Sequence, residues 1–178
     1  MKLNNRNLLI LSLGALLSAA PLAQVIADTR QAKGSVERNE ARQAGNLLDR
    51  AVAHLQRNGP EQSLAAFNDR KGSFVDGEYY LFTLGLDGTM LSSNGASRAL
   101  VGLNVLDLRD AAGKPFISEI IDKARTADNG VVAYHWLNPV DNRVENKVSQ
   151  YRKVGEHILA VGYYIPRASA EQARRMLD

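Results

Sequence analysis

The chain has 178 residues, enough for one compact domain and short for two. Its hydrophobic content of 45% supports a packed core, and the absence of cysteine excludes disulfides, thiol catalysis, thiolate metal sites and a lipid-bearing cysteine. The formal charge of +3 includes Lys2 and Arg6 in a segment expected to be removed, which leaves a nearly neutral chain without the clustered basic face that nucleic-acid binding needs.

Residues 1–27 carry a positive start, an apolar run over 8–17 and then small residues. Val25 and Ala27 stand at −3 and −1 of a cut before Asp28, the pattern of a secretory signal peptide. The apolar run is shorter than the roughly 20 residues of a bilayer span, so cleavage is expected rather than anchoring. A cut after Ala23 is the weaker option. The product is then periplasmic or secreted, with no membrane span.

Residues 28–35 are polar and read as a flexible lead-in. Over 36–57 the residues Ala44, Leu47, Leu48, Ala51, Val52 and Leu55 form one apolar stripe at helical spacing. Asn58-Gly59-Pro60 ends that helix, and a short second one over 60–68 points Leu64 and Phe67 inward. Strands over 79–84 and 89–92 flank a tight turn at Asp87-Gly88. A loop punctuated by Gly95, Gly102 and Gly113 leads to a helix over 115–127, with Pro115 in its first turn. Phe116, Ile117, Ile120, Ile121 and Ala124 make its buried stripe, and Asn129-Gly130 stops it. Strands over 131–137, 144–154 and 158–165 follow, and a helical tail occupies 166–178. Long helices with five antiparallel strands make an α+β domain over 36–165.

Strand alternation puts Val132, Tyr134 and Trp136 on one face, and Glu145, Lys147, Ser149 and Tyr151 on a common face of the next strand. A loop that sets Trp136 opposite Lys147 also sets Tyr134 opposite Ser149 and Val132 opposite Tyr151. A slip of one residue would send Lys147 to the other side. On the first arrangement Lys147 supplies charge, Tyr134 and Ser149 supply hydrogen bonds, and Trp136 supplies an apolar wall: a carboxylate site. The competing reading makes the aromatics core and Lys147 a solvated strand lysine. Tyr80 and Phe82 alternate onto one face as side walls or as core. Arg98 is either a bidentate clamp or a surface arginine. Of Tyr163 and Tyr164, which point to opposite faces, one reaches the site. His135 lies on the opposite face, His54 reads as surface, and His157 reads as a turn residue. Asp107, Asp110 and Lys114 read as caps and loop bonds. No metal-ligand spacing, nucleophile motif, phosphate loop or dinucleotide fingerprint appears, so neither an enzyme nor a cofactor is expected.

The fragments YYLFTLGLDGTMLSS, LVGLNVLDLRDAAGKPF, GVVAYHWLNP, KVSQYRKV and ILAVGYYI occur in an order and spacing that resembles the single Cache domains of type 2. The resemblance covers 36–165. It implies a PAS-like five-stranded antiparallel sheet behind a long N-terminal helix, and an extracytoplasmic sensing role. It also implies a ligand pocket lined by Tyr80, Phe82, Tyr134, Trp136, Lys147, Ser149 and Tyr151, with Ser93 and Arg98 in its lid. Most such modules sit between two membrane helices of chemoreceptors or sensor kinases. This chain looks like a free-standing form that binds a carboxylate-like small molecule and reports to a membrane receptor or sensor kinase. The alternative is a ligand-free module that pairs with a second copy through its long helix. One departure stands out: where the family often has His-Pro after the Asp-Gly turn, this chain has Ser93-Asn94.

Overall fold

A computed structural model describes residues 22–165. Most of the expected signal segment and the whole 166–178 tail therefore lie outside the described residues. Helix α1 (Leu22–Phe67) is longer than its apolar stripe, because it runs through residues 28–35. The expected flexible lead-in is thus helical. Gln31 and its neighbours Arg30, Ala32 and Lys33 are good helix formers, and no proline interrupts them. The break at 58–60 is where it was expected: Gly59 takes φ 75°, a left-handed conformation, and Pro60 opens a second helical arm in a new direction.

Six antiparallel strands form one sheet: β1 (Val75–Asp76), β2 (Tyr79–Gly85), β3 (Met90–Ser93), β4 (Asn129–Leu137), β5 (Val144–Val154) and β6 (His157–Ile165). Their order is β1-β2-β6-β5-β4, with β3 also paired to β2. The two-residue β1 is the strand absent from the expected five. The last strand in sequence returns to the centre, and its run from Ile158 to Tyr164 is buried throughout, as a strand covered on both faces requires.

Each face has its own core. Ala44, Leu47, Leu48, Ala51 and Leu55 of α1 pack on Leu81, Leu159, Val161 and Tyr163, with Val52 and Leu64 at the margin. His54, expected on the surface, is half-buried at the margin of this layer: its ring meets Phe67 and Phe74 edge-on or tilted, and its Nδ1 lies 2.8 Å from Ser63 Oγ. On the other face, Phe116, Ile117, Ile120, Ile121 and Ala124 of helix α2 (Phe116–Thr126) pack on Tyr80, Phe82, Val132, Tyr134 and Tyr151. Helix α2 ends at Thr126 as Ala127 turns extended, so Asn129-Gly130 does not stop it but opens β4. Gly130 is needed there for room, since a Cβ would fall 2.7 Å from the Tyr151 hydroxyl oxygen.

The free edge of β4 is covered by side chains. Lys123 donates to Val131 O, Lys114 donates to Ala133 O, and the His135 N–H donates to Asp110 Oδ2. Capped in this way, the edge offers little to a pairing strand.

Candidate functional site

The turn between β4 and β5 decides what faces what. Pro139 has no N–H and cannot continue a ladder. The ladder instead closes at Asn138, whose N–H donates to Arg143 O while its side chain accepts from the Val140 N–H. Asn142 completes the turn at φ 58°. Tyr134 therefore stands opposite Lys147, Val132 opposite Ser149, Trp136 opposite Glu145 and Gly130 opposite Tyr151. The expected pairing of Trp136 with Lys147 is two residues out. Because the difference is even, the expected faces are kept, and Lys147 shares its face with Tyr134, Trp136 and Ser149.

β6 and β2 complete that face. Lys147 also pairs with Tyr164, and Ser149 with Gly162. Gly162 is the floor beneath the lysine: a Cβ there would lie 2.1 Å from Lys147 Cε and 2.7 Å from Ser149 Oγ. The Lys147 amine sits 3.7 Å from the centroid of the Tyr80 ring and 4.9 Å from that of Tyr164. The segment after β3 closes over the same ring, with Gly95 packed on Tyr80 and Ser97 buried beside it.

Lys147 is fully buried, and its amine has no hydrogen-bond partner among the described residues. Burying an unpaired ammonium costs far more than burying a paired one. Desolvation accordingly holds the Lys147 amine well below the ordinary lysine range, against a weaker opposing pull from the Glu78 carboxylate. The Trp136 indole N–H and the Ser93 hydroxyl are likewise buried without a partner, as are both polar atoms of the Asn94 side chain. Burial also pushes the Tyr80 phenol up to about 12 and raises Tyr134 and Tyr164 further, so all three stay protonated at neutral pH. Tyr134 and Ser149 share a 2.8 Å hydrogen bond, and Tyr164 donates to Leu137 O at 2.7 Å. Phe116 stacks on Tyr134 at 4.1 Å and tilts against Trp136 at 5.1 Å.

The sequence-named residues divide. Tyr80, Tyr134, Trp136, Lys147 and Ser149 fall in one cluster, with the Tyr80 ring against the Lys147 amine and Tyr134 linking Ser149 and Trp136. Phe82 lies farther along the same face opposite Ser93. Tyr151 is at the far end, under Gly130, with its hydroxyl directed at Ala127 O. Arg98 is exposed and does not point at the amine; it donates to Asn68 O at 2.7 Å, just past the C-terminus of α1, where helix carbonyls lack partners. Alternation could have assigned Tyr164 and Glu78, which share parity with Lys147's neighbours. Phe116, Ser97 and Gly162 carried no site signal in the sequence, because a helix stripe, a loop serine and a strand glycine each have a purely structural use. Glu78 is half-buried and held with Glu145 by one amide, Asn138 Nδ2 donating to both at 3.1 and 3.0 Å. Burial first, and then neighbouring Glu40 and Glu145, raise its carboxyl.

The sequence profile of the single Cache domain 2 family matches residues 24–175. The chain belongs to that family. Its fold is similar to a "periplasmic sensor domain of chemotaxis protein", at 22% identity and TM-score 0.55 over 83% of this chain and 100% of that one. It is also similar to a methyl-accepting chemotaxis protein from Vibrio parahaemolyticus, at 20% identity and TM-score 0.61 over 82% and 97%. A third similar structure is a Cache chemosensory domain described for its carboxylic acid recognition, at 18% identity and TM-score 0.56 over 79% and 98%. No curated protein matches the chain. Cache domains are extracytoplasmic, non-catalytic sensing modules. Among the described residues no helix is long and apolar enough to cross a membrane.

Proposed function

We propose that this protein binds a short organic acid at the buried site around Lys147 and passes its occupancy to a membrane receptor or sensor kinase. The observation that carries the reading is the buried, unpartnered amine. A native interior rarely keeps such a group without a use, and a carboxylate offers the charge it lacks. The Trp136 indole N–H offers a donor, while Phe116 and Tyr134 form a stacked apolar wall. Support by analogy comes from the Cache domain described for carboxylic acid recognition. An export signal over residues 1–27 fits a periplasmic or secreted site of action.

Size limits affinity. At about 1.5 kcal/mol per heavy atom at best, an acid of four to six such atoms gains roughly 6–9 kcal/mol. That corresponds to about micromolar binding or weaker, which suits sensing of abundant metabolites. A thermal-shift screen of acetate through butanoate against matched amides and amines tests the reading. Stabilisation by the acids alone supports it; stabilisation by none, or by the amines instead, removes it.

A further inference from the structure

We propose that the buried Lys147 site takes small carbonyl compounds, 2-oxo acids above all, as a reversible imine on Lys147. The inference rests on the carboxylate reading of the same site and narrows its ligand class.

Three observations converge. The Lys147 amine is wholly buried and bonded to nothing among the described residues, so its lone pair is not engaged by a donor. Its position is fixed, because the aliphatic stem lies on Gly162 and the amine lies against the Tyr80 and Tyr164 rings. Lysine attacks carbonyl carbon only as the neutral amine, and desolvation favours that form here. The groups facing it do not restore an ion pair. Tyr80 from β2, Tyr164 from β6 and Tyr134 from β4 stay neutral at neutral pH. Glu78, just before β2, is the one carboxyl acting on the amine among the described residues; it makes no hydrogen bond with the amine, and burial raises its carboxyl.

The chemistry is a condensation. The amine lone pair forms a C–N bond as the carbonyl π bond breaks, and one N–H proton passes to the carbonyl oxygen. That oxygen then takes the second N–H proton and leaves as water while the C=N bond forms. One amine and one carbonyl become one imine and one water, with no change of oxidation state. A 2-oxo acid suits the site, because once the imine takes up one proton from solvent its own carboxylate lies beside the charged nitrogen as an internal ion pair. A plain carboxylate has no such partner until Lys147 itself gains a proton.

The test incubates the purified protein with 2-oxobutanoate and sodium cyanoborohydride, then maps peptides by mass spectrometry. Butanoate, which has no carbonyl to condense, is run beside it in a thermal-shift assay. The expected result is one adduct, the ligand mass less one oxygen, at Lys147 in preference to the exposed Lys71 and Lys123. Modification confined to exposed lysines, or none, overturns the proposal. If butanoate stabilises the protein in that case, the carboxylate reading stands and only the imine falls. An adduct at Lys147 without stabilisation by butanoate supports the imine and counts against plain carboxylate binding. Loss of the adduct in Lys147→Met, with circular dichroism matching the wild type, gives independent support. Should that variant misfold, the wild-type peptide map decides alone.

Discussion

Replacing Lys147 by methionine keeps the stem of the side chain and deletes the unpartnered amine. The variant should unfold at higher denaturant than the ligand-free wild type, by about 1–3 kcal/mol, the usual cost of a buried unsatisfied donor. The pH dependence has a definite sign. The amine is lowered in the folded state, so the unfolded chain binds the extra proton, and the wild type gains stability as pH rises toward the ordinary lysine value. The gap between variant and wild type should therefore narrow between neutral pH and about pH 10. A gap that is constant with pH, measured by urea unfolding, would mean the amine is not desolvated in the folded state. Gly162→Ala tests the same residue from below. Its methyl group would enter the space of Lys147 Cε, and overpacking of this kind costs about 1–3 kcal/mol. Ligand stabilisation should fall with it, since the lysine has to move.

The strands around the site were legible to different depths. Alternation put Lys147, Tyr134, Trp136 and Ser149 on one face, because that parity is a property of any extended strand. Their partners were not legible, because register depends on where the turn closes, and Asn138 closes it one residue before Pro139. Arg98 shows the limit for loops: its alternatives differed only in what stood nearby, and Asn68 O is thirty positions away in sequence. The loop before α2 carries its own test. Asp110 accepts hydrogen bonds from the Ala112, Lys114 and His135 backbone N–H groups and meets the His135 ring at 3.3 Å. Burial alone would raise this carboxyl, but those hydrogen bonds outweigh it and hold it at about 2. The clasp is complete above the ordinary aspartate value near 4 and is lost as pH falls toward 2. Asp110→Ala should speed amide exchange over residues 101–115 and cost about 1–3 kcal/mol. Unchanged exchange there would show that the loop is held by other contacts.

As a whole, the molecule is one sheet with a different task on each side. The α1 side is a mostly apolar core that holds the His54–Ser63 pair at its margin, whereas the α2 side interrupts its core with one lysine, an indole N–H and several hydroxyls. The fold class followed from apolar periodicity over long segments, which depends little on any single residue. The reach of helix α1 back to Leu22 did not, because residues 22–27 read as the end of a signal segment and 28–35 carry no apolar stripe. A ligand held by the interrupted side stabilises the whole domain. At a hundred times its dissociation constant the gain is about 2.7 kcal/mol.

The central claim is that Lys147 is the anchor of a carboxylate site. Calorimetric titration of butanoate into the wild type and into folded Lys147→Met tests it most directly. The account predicts saturable binding at about micromolar strength or weaker in the wild type, accompanied by proton uptake as the amine becomes charged, and no binding in the variant. Equal binding by both proteins, or binding without proton uptake, would contradict it.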